Sequence, residues 1–276
     1  MTPENLEQVA AELKKLSERL LQEPPPVLPA ARATKIRAAI TETYTKLRKV
    51  VEDLDPVKPP EFVFDPSNPN VVGRFIGVAM IAQTRKPLAA VQRFYGSGIY
   101  AIYYKGDFPA YKGISNREHP IYVGKADPVV PSAKTPVEQG DRLSNRLSDH
   151  RRNIGKAESL RLDDFDYRAL VVQSGWQEAA ESYLIDLFRP IWNKEVGIVY
   201  GFGKHGDDPG TRANLRSPWD TLHPGRDWAH RDSAMKDAKP RKQILEEISS
   251  HLSEHPVFRT VDQVLRRFLE EMRTLT

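Results

Sequence analysis

The sequence predicts an α+β fold: a small three-stranded sheet flanked by helices, with a helical hairpin before it and two more helices after it. Three observations predict this. Gly98–Tyr104 and residues 121–126 are short runs rich in β-branched and aromatic residues, bounded by Gly96, Gly106, Pro109 and Pro120. Residues 165–172 repeat that character. Elsewhere, apolar residues recur at three- and four-residue steps, the period of a helix face.

Taken in order, Leu6, Val9, Leu13, Leu16 and Leu20 keep a 3-4-3-4 spacing after Thr2-Pro3-Glu4, a helix start with proline in the first turn. Pro24-Pro25-Pro26 ends that helix. Ile36, Ile40, Thr43, Leu47, Val50 and Leu54 mark a second one, which stops before Pro56. Each stripe is under three heptads; the two pack on each other, on the body of the protein or on a second subunit. A Pro- and Asp-rich linker covers residues 56–70, and short helices are expected over 71–83 and 88–94. Residues 1–83 thus form an N-terminal extension, 84–243 the central domain and 244–276 a C-terminal helical extension. In the last, Ile244, Ile248 and Leu252 precede a stronger stripe of Val261, Val264, Leu265, Phe268, Leu269 and Met272.

In the first strand Tyr100 shares a face with Ile102 and Tyr104, while Ile99, Ala101 and Tyr103 take the other. In the second, Tyr122 points away from a face shared by Ile121 and Val123. These tyrosines either plug a small core or bring two phenols together beside Gly98 and Gly124, where backbone approaches a ligand closely. Downstream, Arg142, Arg146 and His150 stand four residues apart on one helix face, next to Leu143 and Leu147. A helix over 176–188 carries Glu181 in the same stripe as Leu184, Ile185 and Phe188. It ends at Arg189-Pro190, and Asn193 follows.

This ordered set of Tyr, Tyr, Arg, His, Glu and Asn on a strand–strand–helix–strand–helix frame resembles the GIY-YIG nucleases. Within that superfamily the chain is most similar to type II restriction endonucleases of the Eco-29k-I kind over roughly residues 90–230. Val123 stands where the second triad has Ile, and the connection over 105–120 is long for a hairpin. The resemblance implies an antiparallel sheet and Mg²⁺-dependent hydrolysis of double-stranded DNA at CCGCGG, with Mn²⁺ as a substitute ion. It implies two copies on the palindrome and a cognate DNA methyltransferase in the same system. It also implies catalytic roles for Tyr100, Tyr122, Arg146, His150, Glu181 and Asn193.

The chemistry of these residue types agrees. An acid on an apolar stripe calls for a cation, which makes Glu181 the candidate Mg²⁺ ligand; Glu178, one turn earlier, is its rival. Arg146 suits a phosphate clamp. Tyr100, the general base by resemblance, needs a partner for its proton, and His150 is placed to be one. Tyr122 would orient water or phosphate, and Asn193 would bond the far wall of the site. The other enzyme reading is a repair nuclease that selects DNA shape; a non-catalytic DNA-binding module is the third.

The net charge of +4 is unevenly spread: residues 84–243 hold 26 Lys and Arg against 20 Asp and Glu, and residues 1–83 balance at 11 each. That fits a phosphate-facing central domain, with Lys125 and Arg142 as DNA contacts beside the site. Residues 201–241 interleave Lys204, Arg212, Arg216 and Arg226 with His205, His223, His230, Trp219 and Trp228. The segment reads either as an ordered base-reading loop or as a solvated surface. A metal site of His205, Asp207 and His223 is a weaker possibility. Zero cysteines exclude disulfides and cysteine-based zinc. With no apolar run of membrane length, and acids at Glu4, Glu7 and Glu12, a soluble cytoplasmic protein is expected.

Overall fold

Gly98–Tyr104 is buried on both faces, and that places it at the centre of the sheet. In the computed structural model, which describes residues 2–22, 26–58, 60, 63–202, 215–230 and 235–273, the chain divides into two units, 1–61 and 62–276. The first holds α1 (Pro3–Leu21) and α2 (Ala30–Leu54), capped as the sequence suggests by Thr2 accepting from the Asn5 amide. Neither helix buries a residue. Of their apolar stripes, Leu6, Leu13 and Leu47 are half-buried.

The second unit begins with α3 (Pro69–Ile81), which packs against a later helix of the same unit, so it is part of this body rather than of the N-terminal extension. Then come β1 (Lys86–Pro87), β2 (Gly98–Tyr104), β3 (Tyr122–Ala126), α4 (Pro136–Gln139), α5 (Arg142–Lys156), β4 (Phe165–Val171) and α6 (Gln177–Phe188). The sheet order is β1-β4-β2-β3, all antiparallel. The fourth strand, β1, has only two residues and no periodicity to read. Residues 88–90 form a single 3-10 turn where a helix over 88–94 was expected. The chain closes with β5 (Leu215–Arg216), α7 (Pro218–Leu222), α8 (Asp227–His230), β6 (Lys236–Asp237), α9 (Arg241–Glu254) and α10 (Val261–Arg273).

The alternation of β2 sorts the core into two layers. Tyr100, Ile102 and Tyr104 join Leu143, Leu147 and Ile154 of α5, with Trp192, Phe202, Trp219 and Ile244 beyond them. Ile99, Ala101 and Tyr103 join Val123 and face α3, α6 and α10 through Met80, Leu184, Phe188 and Val264. Ile121 falls in the first layer and Val123 in the second, because Ile121 precedes the strand; the shared face expected for them does not exist. Gly98 has φ +156° and lies against the Leu170 carbonyl of β4, so a side chain there would collide with backbone. No helix among the described residues is long and apolar enough to cross a membrane.

Candidate active site

β3 is the edge strand of the sheet, and the site lies along its outer edge, where α5 reaches over from one layer and α6 from the other. The register sets Tyr100 opposite Gly124 and Ile102 opposite Tyr122. A Cβ on Gly124 would stand 2.5 Å from Tyr100 Oη. The glycine therefore keeps open the space beside that hydroxyl.

Tyr100 is fully buried, and its Oη lies 2.6 Å from His150 Nε2. Burial, reinforced by Tyr122, pushes the Tyr100 phenol well above the usual tyrosine pKa. It thus stays protonated beside the imidazole. His150 stacks on Phe202 at 4.5 Å between ring centres, and Tyr122 meets both rings edge-on. Phe202 was not singled out from the sequence; its only signal was an aromatic residue between Gly201 and Gly203.

A cleft of about 370 Å³ is lined by Tyr122, Lys125, Asp127, Arg142, Arg146 and Glu181. Burial works against the Arg146 charge, but the Tyr100 and Tyr122 phenols outweigh it and raise its pKa. Burial also raises the Glu181 carboxyl to about 7, against the pull of Lys125 and with help from Glu178 and Glu195. Lys125 Nζ bridges Glu178 at 2.7 Å and Asp127 at 2.9 Å. Its charge offsets one of the two, and Glu181 makes no ion pair among the described residues. Glu178 pairs with Lys125, and Glu181 lines the cleft.

A single raised-pKa carboxylate beside phosphate-sized space suits a Mg²⁺ ion that takes most of its ligands from water and substrate. No cluster of three or more metal-ligating side chains exists among the described residues, so a protein-built cage is not the alternative. The residues present fit the ion.

Other expected residues take different places. Asn193 accepts from the Val123 amide and donates to the Val123 carbonyl, both at 2.9 Å. It closes the exposed edge of β3 like one more strand residue and so positions Tyr122 from behind. Arg142 sits at the cleft mouth, bonded to the Asp127 carbonyl. Arg226 is buried, paired through Nε and Nη2 with both oxygens of Asp220 at 2.6 and 2.7 Å, and lies over Trp219. Arg216 is held by Asp237 at 2.6 Å and by the Ala229 carbonyl. Arg216 thus joins β5 to β6, and Arg226 also donates to the Gly201 and Phe202 carbonyls, so both guanidiniums are engaged by the protein's own acceptors. His223 is buried between Tyr111 and Ser159, its pKa lowered by burial to about 3, and is no metal ligand. Lys204, Arg212, His205 and Asp207 lie outside the described residues, as does the side chain of His230.

No curated protein matches the sequence. The family model described as the Eco29kI GIY-YIG domain matches residues 92–252, more than half the chain and every element that lines the cleft. With that match added to the Tyr100, Tyr122, Arg146, His150 and Glu181 geometry, the chain belongs to the Eco29kI family of GIY-YIG nucleases.

Proposed function

We propose that this nuclease is a type II restriction endonuclease. It would hydrolyse double-stranded DNA at a short GC-rich palindrome, CCGCGG by family resemblance, with one Mg²⁺ (Mn²⁺ substituting) and a tyrosine general base. The observation that carries this reading is the convergence of Glu181, Arg146 and Tyr122 on one cleft in front of the Tyr100–His150 pair.

Glu181 would hold the ion, which when bound supplies positive charge to the phosphoryl and leaving oxygens. Arg146 grips the scissile phosphate through its planar fork. Tyr122 lines the cleft and orients the attacking water. Tyr100 takes the water proton as it passes its own to His150 Nε2 across the 2.6 Å contact. No isolated phenolate then forms in a buried site, where burial opposes it. Lys125 and Arg142 flank the cleft and meet neighbouring phosphates. One such site per chain and two strands to cut call for two copies on a palindrome, or two engagements by one copy. A methyltransferase of the same specificity would protect the host's own sites.

Plasmid nicking and gel shifts, with and without Mg²⁺, test this. Glu181→Ala should abolish cleavage while DNA binding persists, and Glu178→Ala should keep most activity. A Glu181→Ala protein that cuts near the wild-type rate would refute the assignment.

A further inference from the structure

Between β3 and α5 the chain makes a loop, residues 127–141, that leaves the cleft and returns to it. Asp127 at its start and Arg142 just past its end both line the cleft, and Arg142 Nε donates to the Asp127 carbonyl at 3.2 Å. After Asp127 come four consecutive apolar residues, Pro128-Val129-Val130-Pro131. Val129 is 61% exposed and Val130 49%. An exposed run of this kind does nothing for the core and marks a surface that meets a partner.

The loop is firmly built. Gln139 is buried; its side chain accepts from the Ser97 amide at 2.9 Å and donates to the Val172 carbonyl at 2.9 Å and to Ser174 Oγ at 3.3 Å. Ser174 Oγ in turn donates to the Ala133 carbonyl at 2.8 Å. The Val129 amide donates to the Gln139 carbonyl at 3.1 Å, and the Lys134 amide to the Glu138 carboxylate at 2.7 Å. Pro128, Pro131 and Pro136 each fix φ. The loop is thus fastened to the start of β2 and the end of β4, and its valines are presented with little freedom left to lose on binding.

Position indicates the occupant. Val129 stands two residues from Asp127, so its Cα lies within ~7 Å of the Cα of that cleft-lining residue, roughly two steps along a DNA strand. It also lies against Gly140, where a Cβ would be 2.7 Å from Val129 Cγ2, and Gly140 is two residues before Arg142. Val129 therefore sits between the two ends of the loop, at the rim of the cleft. Lys125 and Arg142 supply charge for phosphates there. Valines gain nothing from phosphates; they gain by leaving water against the faces of bases.

We propose that Val129 and Val130 form a wedge that enters the base stack of double-stranded DNA beside the scissile phosphate, which rests on the reading that this cleft takes duplex DNA. The wedge would part a base step and bend the duplex toward the cleft. Because pyrimidine–purine steps part most easily, it would add sequence preference without a hydrogen bond to any base.

The test uses the full-length chain and duplexes that the wild type cuts, with 2-aminopurine replacing one base at a time around the scissile phosphate. Emission, which rises when that base unstacks, is read at saturating protein in chelator, where no strand is cut. Wild type should raise it about twofold or more at one step, as should Val129→Ile with Val130→Ile; Val129→Ser with Val130→Ser should not. The serine pair should also cut roughly tenfold more slowly or worse, with urea unfolding unchanged. No rise with the wild type, a rise that persists in the serine pair, or serine-pair cleavage at the wild-type rate would each overturn the wedge. If the serine pair instead changes the number of copies per duplex in sedimentation, the valines face a second copy and the wedge is likewise overturned. Wild-type ends scattered over unrelated sequences would refute the restriction-enzyme reading and leave the emission result standing, so the two can fail separately.

Discussion

Glu181 has a folded-state pKa of about 7, above the ordinary carboxylate value of 4.5. Between these values the metal-free folded chain holds a proton that the unfolded chain releases. Stability therefore falls as pH rises from about 4.5 to 7 and stays low above that. Glu181→Gln removes this dependence. Urea unfolding in chelator should show the variant roughly 1–3 kcal/mol more stable than wild type at pH 8, partial exposure having reduced the full shift, and equal to it near pH 4. Added Mg²⁺ should narrow the gap at pH 8 for the wild type only. Tyr100→Phe deletes the hydroxyl that meets His150. It should lower single-turnover cleavage by about 10²-fold or more and leave DNA affinity within a few-fold, since the lost group acts on the proton and not on the phosphate. Gly124→Ala pushes a methyl group into the space beside Tyr100 Oη. A loss of cleavage as deep as that of Tyr100→Phe, with a stability cost of about 1–3 kcal/mol, is the expected outcome of overpacking there.

At the scale of elements, β2, β3, β4, α5 and α6 were legible in the sequence because each has a clear period and a clear stop. Arg189 at φ 48° before Pro190 ends α6 where the pre-proline restriction said it would. The candidate site was legible as an ordered series of residue types. Glu181 was chosen over Glu178 from its place in the apolar stripe; the Lys125–Glu178 pair, which joins two elements, was not legible. The pairings within 215–230 were hidden for a similar reason. Arginines among turn formers look like DNA contacts until a carboxylate is found beside them, and Asp220, six residues before Arg226, was the available signal. The Ser217 cap of α7 and the buried Trp219 fix that carboxylate in the core. Arg226→Ala would strand it without its cation, at a cost of about 3–5 kcal/mol in chemical denaturation. Where the variant remains folded, its cleavage sites should be those of the wild type; relaxed specificity would return Arg226 to the base-reading surface.

At the scale of the whole molecule, the sheet edge that holds the cleft belongs to the family-matched part of the chain, and the α1–α2 unit lies before it. That division explains why the sequence spoke clearly about chemistry and weakly about assembly. Catalytic residues were recognisable as an ordered series, whereas an assembly of copies carries no such motif. The account rests on one claim above the others, that this cleft cuts DNA at a fixed sequence with Glu181 as its metal ligand. Sequencing the ends of genomic DNA digested with Mg²⁺ by the wild type, beside a Glu181→Ala control, tests it most directly. The account predicts that the wild-type ends fall at a single short GC-rich palindrome and that the control produces none. Ends scattered over unrelated sequences, or the same ends from the Glu181→Ala protein, would contradict it.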